Sequence, residues 1–486
     1  MVFDVLGSIL VSTRQQVVTR KRNSISHNAS WIAAYSICWT VFAGVVAAEE
    51  TYDLSVKQAT SGANLVKAIV EVSGKLKLNA DGTKVSELPL RVRGELEYAE
   101  RTIEQTQFHR KNARLYETAR ATIQVGDTRL ESSLNEERRL VLAQVKESQH
   151  TLCSPQGPIT RDELELIDIQ GSTTLSHLLT PAAPVPIGAE WPHEADLLTA
   201  ILGLDAIAQA DVKSIFRKVE GDIAIIDMSG EVSGAVDGVS SDIVLKAKYN
   251  VDLKSHSITW LAMSIHEDRA IGHATPGFEV TARIRVATTA QETPLDLTDD
   301  ALAGLPLELS PGSTLLSLLS PTGGFQLLHA REWQVMVDRA DVTILRFVEQ
   351  GDLIAQCNVS SLPDSMRGER VSLEAFRADI EKALGKNFGQ FVEASQQTND
   401  QGLRVLRVVV SGVASELPIQ WIYYHISTDD VRQAALVFTM DGKVVEKFAG
   451  ADEALVNSFE FAQRVLPGGD PTPASIEKPD VDRSVR

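Results

Sequence analysis

Cysteine is nearly absent, with three residues in 486. One of them, Cys38, lies in an N-terminal segment expected to be removed, which leaves Cys153 and Cys357. Two cysteines cannot frame a disulfide scaffold. Without histidines at matching spacing they do not make a structural zinc site either. Pairing between them stays open, and two unrelated small side chains are the favoured reading.

Positive charge is also short. Lys and Arg number 47 against 65 Asp and Glu, a net charge of −18. The first 48 residues contain Arg14, Arg20, Lys21, Arg22 and one acid, Asp4. Taking those four bases and one acid away leaves 43 against 64, a net charge of −21. A surface that acidic repels phosphate backbones, so no nucleic-acid partner is expected. General attraction to anionic lipid is disfavoured for the same reason. Beyond the N-terminus no apolar run is long enough to cross a bilayer, which takes about 20 residues.

Signatures of common chemistry are missing too. Met228-Ser229-Gly230 and Val410-Ser411-Gly412 lack the flanking glycine of a nucleophile elbow. Gly323-Gly324 is not followed by Lys-Ser or Lys-Thr, and Gly230 to Gly238 reads as a hairpin, not a phosphate cradle. No cofactor, metal site or catalytic residue is assigned from the sequence, and binding residues are left unknown.

What the sequence does contain starts at the N-terminus. Arg20-Lys21-Arg22 precedes an apolar run from Trp31 to Val46, which ends in Val46-Ala47-Ala48. A basic flank, a short apolar core and small residues mark a secretory signal, with cleavage expected after Ala48. The long stretch before it fits a true start downstream of Met1. The alternative is an uncleaved anchor, which would be the chain's only membrane contact. The expected location is periplasmic or extracellular.

The remainder is 43% hydrophobic and 23% charged over the whole chain, an ordinary globular balance. At ~100–200 residues per domain the length suggests two to four domains. The fold class expected is α+β. Residues 49–290 read as an antiparallel β-rich domain of curved sheets or meanders, with few short helices. Leu65 to Leu78 alternates as a half-buried strand, and Asn79 to Gly82 reads as a turn. Leu115 to Leu134 reads as a hairpin around Gly126-Asp127. Thr160 is expected to cap a helix over Arg161 to Ile167, with a second helix over Glu194 to Leu202. Five strands from Val212 to Thr288 form a meander that looks like a counterpart of the earlier set, suggesting a pseudo-repeat. Residues 291–324, with four prolines, read as a linker in which Leu315 to Leu319 can dock. Residues 325–466 form a second domain, with a helix from Ser372 to Leu384, and 467–486 a disordered tail.

The stretch AALVFTMDGKVVEKFAGADEALVNSFEF, Ala434 to Phe461, follows a strand with a short helix and an aromatic-rich last strand. With the order of elements from Phe325 onward, it resembles the PsbP-like α/β/α sandwich. That resemblance implies a binding or accessory module and transfers no site residue. PVPIGAEW, Pro184 to Trp191, with its paired strand sets, resembles exported proteins of planctomycete-type bacteria. The architecture is also weakly similar to the LolA-like curved sheet that carries lipoproteins or lipids.

Three constellations merit a structural test. His266, Glu267 and His273 are the best metal candidates, although their spacing is wider than a helical zinc motif and Gly272 breaks the segment. Surface histidines are the favoured reading. Glu95 and Glu97 share a strand face about 7 Å apart, a spacing seen in acid–base pairs, with Glu100 nearby. A wet strand face is favoured. Trp421 and Tyr423 share one face and Tyr424 the other, as a carbohydrate or peptide platform or, as favoured, core. Three function classes follow. First is an exported, non-catalytic binding or assembly protein of the cell envelope. Second is a carrier of an apolar ligand or lipid. Third is a hydrolase with a dispersed site.

Overall fold

The computed structural model describes residues 50–57, 62–78, 85–106, 109–146, 149–364, 370–429 and 431–462. The expected signal peptide, the turn at Asn79 to Gly82 and the C-terminal tail lie outside them. The chain is mostly β, built of antiparallel sheets with few helices.

The first strands are β1 (Thr51–Tyr52), β2 (Ala63–Leu78), β3 (Ser86–Gln105), β4 (His109–Val125), β5 (Thr128–Ser133), β6 (Leu140–Lys146) and β7 (Gln149–Cys153). The connecting segment holds α1 (Arg161–Ile167), α2 (Thr173–Ser176), β8 (Val185–Pro186), β9 (Glu190–Pro192) and α3 (Ala195–Leu202). A second strand set follows: β10 (Ala206–Glu220), β11 (Ile223–Val236), β12 (Val239–Asp252), β13 (Ser257–Arg269) and β14 (Gly277–Gln291).

Both strand sets belong to one twelve-stranded sheet, in the order β7-β6-β4-β3-β2-β14-β13-β12-β11-β10-β9, with β5 beside β4. The two sets join where β14 pairs β2, from Gly277 opposite Lys77 to Gln291 opposite Ala63. Strict alternation along these strands sends Val66, Val70 and Val72 to one face, with Ile284 and Val280 beside them. The opposite face is charged. There Lys67 meets Glu97 at 2.7 Å, Arg120 meets Glu95 at 2.8 Å and Arg285 meets Glu71 at 2.8 Å.

An antiparallel sheet with one apolar face must cover it. Here the cover is the segment between the strand sets. Thr160 caps α1 with a full capping box, its side chain accepting from Glu163 N while Glu163 bonds back to Thr160 N. Leu164, Leu166, Ile167, Leu175, Leu198, Ile201 and Leu202 then join the sheet's apolar face in a single core.

Residues 291–324 do more than link. They contain α4 (Asp299–Leu302) and β15 (Leu316–Ser320), and their apolar side chains are tied down. Leu297 and Leu302 cover Ala113, Leu140, Leu142 and Cys153 on the sheet's outer face. Leu316 enters the first core, while Leu318 packs against the second. Ser317 N donates to Ile159 O at 2.9 Å.

The second unit begins with β16 (Phe325–His329), which pairs β15. Its elements continue as β17 (Trp333–Asp338), β18 (Thr343–Glu349), β19 (Asp352–Leu362), α5 (Leu373–Leu384), β20 (Phe388–Thr398), β21 (Arg404–Ala414), β22 (Leu417–Ser427) and β23 (Gln433–Asp441). Then come α6 (Val445–Phe448), α7 (Glu453–Ser458) and β24 (Glu460–Phe461). The seven-stranded sheet runs β17-β18-β19-β23-β22-β21-β20. Val405 and Val409 of β21 cluster with Phe448, Leu455 and Val456 of α6 and α7. Val408 and Val410, on the other side of the same strand, cluster with Ile380 of α5. Trp333 is wholly buried among Phe347, Phe438 and Phe448, with its Nε1 donating to Ala451 O at 3.1 Å.

The two units touch through side chains and backbone. Ala274 packs with Met336 and Val348, Arg346 donates to His273 O, and Arg161 donates to Trp333 O at 3.1 Å. Gly238 and Gly351, in hairpin turns of different units, meet closely. A Cβ on Gly238 would lie 2.2 Å from Gly351 Cα. Gly221 provides the control, since it has φ +63 against +66 for Gly238, yet nothing lies within 4 Å of its Cβ position. Gly221→Ala bears only the left-handed backbone cost of about 1–2 kcal/mol. Gly238→Ala adds an overpacking cost of about 1–3 kcal/mol. Urea unfolding of the two variants checks this, and equal losses would mean that the Gly238–Gly351 contact does not persist in solution.

Candidate functional site

The constellations marked in the sequence do not converge. His266 is exposed, with Nδ1 3.2 Å from Thr281 Oγ1, whereas Glu267 points inward as the next residue of the same strand. Glu267 is 2% exposed and accepts from Ser241 Oγ at 2.5 Å and Arg269 Nη2 at 2.7 Å. His273 is exposed in the following loop. Among the described residues no group of three or more His, Cys, Asp or Glu side chains is arranged to hold a metal ion.

Glu95 and Glu97 lie on the charged outer face, engaged by Arg120 and Lys67. Hydrogen bonds from Arg120 and Arg93 hold the Glu95 carboxyl below its ordinary pKa, the opposite of what a general acid needs. Glu100 faces the core instead. Trp421 is buried, Tyr423 packs with the α5 cluster, and Tyr424 is buried on the other face with its OH donating to Asp452 at 2.5 Å. Cys153 and Cys357 are both buried and free.

Glu100 anchors a buried polar cluster that the sequence did not reveal. Arg114 Nε donates to Glu100 Oε2 at 2.8 Å, with both side chains at 3% exposure or less. Arg114 Nη2 also donates to Ser172 Oγ at 2.8 Å and Thr174 Oγ1 at 2.7 Å. Thr173 Oγ1 donates to Glu100 Oε2 at 2.8 Å. Burial alone would raise the Glu100 pKa, but the Arg114 and Arg110 guanidiniums hold it below its ordinary value. The cluster fastens α2 and its flanks to the inner face of β3 and β4. The desolvation cost of such a buried pair offsets much of its attraction, so it adds little net stability.

Besides a polar recess of about 380 Å³ among Arg93, Glu95, Arg120 and Glu131 on the outer face, two recesses with apolar walls bear on ligand binding. Over β2, β3 and β4, beneath α1, Val70, Val92, Leu96, Ile123 and Leu166 surround a recess of about 20 Å³. That is room for about one water molecule. A groove of about 400 Å³ opens where the covering segment reaches the β9 end of the sheet. Its walls include Leu175, Leu178, Pro181, Trp191, His193 and Leu197.

The groove is built over a chain of buried hydrogen bonds. The Leu179 carbonyl accepts from Trp191 Nε1 at 3.0 Å and from Tyr249 OH at 2.9 Å. Tyr249 OH is 3.0 Å from Ser214 Oγ, which is 2.7 Å from His193 Nε2. Leu179 O can only accept, so the phenol proton goes there. Ser214 then donates to the phenol oxygen, and His193 Nε2–H donates to Ser214. This assignment uses every contact and leaves His193 Nδ1 as an acceptor. Burial lowers the His193 pKa to about 4, so the ring is neutral near pH 7. Glu194 and Asp196, also lining the groove, are exposed and form no ion pair among the described residues. The nearby base Lys213 is turned to Asp211 at 3.5 Å.

The sequence signal that bore on this site was Pro184 to Trp191, read as a likeness without a role. Ser214 and Tyr249 come from strands β10 and β12, and no local pattern announces them.

No protein-family model matches the chain, and no curated protein matches it. Likeness to solved structures is slight. A Bacteroides thetaiotaomicron VPI-5482 protein has 11% identity and a TM-score of 0.23, with 30% of this chain covering 48% of that one, about half its length. The Ran-binding protein Mog1p of Saccharomyces cerevisiae has 12% identity and a TM-score of 0.23, with coverage of 30% and 95%. The translocator domain of autotransporter NalP from Neisseria meningitidis has 7% identity and a TM-score of 0.13, with coverage of 79% and 90%. At these values the likenesses carry no argument. Among the described residues no helix is long and apolar enough to cross a membrane.

Buried histidines make stability depend on pH. Burial lowers His193 and His329 to about 4 from an ordinary 6.5. Between those values the unfolded chain holds protons that the folded chain does not, so stability is full above pH 6.5 and falls as pH drops toward 4. The expected slope is about 1.4 kcal/mol per pH unit for each histidine. Urea midpoints measured from pH 7 to pH 4 check it. The His329→Asn variant should show a shallower fall, and an unchanged slope would contradict the assignment.

Proposed function

We propose that this chain is an exported, non-catalytic binding or assembly protein of the cell envelope, and that it binds through the Trp191–His193 groove. The observation that carries this reading is where open apolar space lies. The inner face of the large sheet, where a carrier would hold an apolar ligand, is filled by α1, α2 and α3 and keeps a recess of about 20 Å³. The groove of about 400 Å³ falls in the range of ligand sites, about 300–1,000 Å³. The remaining charged constellations are spent on one another, as in Glu100–Arg114 and Glu267–Arg269.

The second unit fits the same reading. Helices packed against both sides of β21 are consistent with the PsbP-like α/β/α arrangement proposed for 325–466, a fold common among accessory modules. Export rests on the segment from Arg20 to Ala48. Fold alone does not decide function, so the groove carries the weight.

Carriage of an apolar ligand is the second reading. It requires α1 to α3 to lift from the sheet. Native mass spectrometry of the protein, purified without detergent from its own envelope, separates the two. The expected mass is that of the chain without residues 1–48, alone or as a defined protein complex, with no lipid-sized adduct. A discrete adduct that denaturation removes would overturn the binding-module reading in favour of the carrier. A mass that retains residues 1–48 would overturn the cleaved signal.

A further inference from the structure

We propose that the Trp191–His193 groove takes an extended, basic segment of a partner protein, with an apolar side chain against Trp191 and a lysine or arginine facing Glu194 and Asp196. This rests on the binding-module reading and names the ligand class for it. Three independent features support it.

The first is charge. Glu194 and Asp196 line the groove without an ion pair among the described residues, while most carboxylates of the sheet's outer face are matched by a base. A groove with acids on its lip and apolar walls favours an apolar group next to a cation. The net charge of −18 draws the same kind of segment from a distance.

The second is the floor. His193 is 9% exposed, neutral near pH 7, and pinned through Ser214 and Tyr249 to the backbone of Leu179. Its Nδ1 is an acceptor with no protein partner among the described residues. It accepts from an N–H donor such as a peptide amide or an ammonium group. A neutral acceptor of this kind would not repel the cation.

The third is the sheet edge. β9 pairs β10 only over Lys213 to Ile215, and His193 N extends the contact to Val212 O. Beyond that point, Ala206 to Asp211 pair with no strand on the side away from β11 among the described residues. Ala206-Ile207-Ala208-Gln209-Ala210 has no charge and no proline, and its one guard is the irregularity between Ile207 and Gln209. The groove therefore leads onto backbone able to pair with an extended chain. A small cationic amphiphile would use the groove and leave this edge bare.

The expected affinity is modest. One buried apolar side chain supplies most of it, and exposed ion pairs add little.

The test uses the full mature chain and two fluorescein-labelled peptides, Thr-Leu-Lys-Val-Lys-Val-Thr and its counterpart with both lysines replaced by glutamate. Fluorescence anisotropy should show the basic peptide binding at least tenfold tighter than the acidic one, and weakening with added salt. Glu194→Gln with Asp196→Asn should weaken the basic peptide roughly three- to tenfold. Both changed side chains are exposed, and Glu194, at the N-cap of α3, makes no capping side-chain bond, so the fold is expected to hold; circular dichroism checks it. Equal binding of the two peptides would overturn the proposal, as would binding indifferent to the double substitution. Binding of dodecylamine with neither peptide bound would overturn it in favour of a small amphiphile. If neither peptide binds while the native mass shows a lipid-free protein complex, the ligand class falls and the binding-module reading stands. A lipid adduct in that mass removes the reading itself.

Discussion

The apolar inner face of the twelve-stranded sheet has to be kept from water, and most of the architecture answers that need. Val66, Val70, Val72, Ile226, Leu245, Val280 and Ile284 all face one way. At about 25 cal/mol per Å² of apolar surface, leaving them wet would be prohibitive. The chain meets the constraint with residues between the two strand sets, where Leu164, Leu198 and Leu202 close over the sheet. Two consequences follow. A backbone carried across an apolar face needs anchors, and Arg114 supplies them by reaching from β4 to Ser172, Thr173 and Thr174. The cover also does not seal completely, and between Leu175 and Ala200, around Trp191, it leaves the groove.

The same economy joins the two units. β15 places Leu316 in one core and Leu318 against the other, so residues 291–324 serve both. Further back, Lys111 is 2% exposed yet paired with Glu308 at 3.0 Å, because that segment lies over the outer face of β4. A charge in that setting is tolerated only with its partner in place.

Much of the fold was legible because alternation is a strong signal where one face is wet. β2, β11 and β12 match their expected spans within a few residues, and α1 was readable from its Thr160 cap and the acids of its first turn. β20 escaped notice because register shifts between Phe388 and Gln390, and between Phe391 and Glu393, break its alternation. Prolines in 291–324 suggested a linker with Leu315 to Leu319 docked; the segment holds α4 and β15, with Leu316 in one core and Leu318 against the other, while its packing over β4 through Leu297 and Leu302 had no sequence signal. Of the candidate site almost nothing was readable. Glu267 looked like a ligand beside His266 because sequence neighbours in a strand face opposite ways, and only the strand's register shows which is buried. The groove's floor, His193, is held from behind by Ser214, Tyr249 and the Leu179 carbonyl, which come together only when the cover closes.

The central claim is that α1 to α3 are permanent core and not a lid over a ligand chamber. Amide hydrogen exchange of the mature chain at neutral pH tests it most directly. The account predicts that the amides of Leu164 to Ile167 and Leu198 to Leu202 exchange as slowly as those of β2 and β14, because they open only with the sheet itself. Fast exchange of these helices, with β2 and β14 still protected, would show that the cover lifts while the sheet stays folded, and would contradict the account.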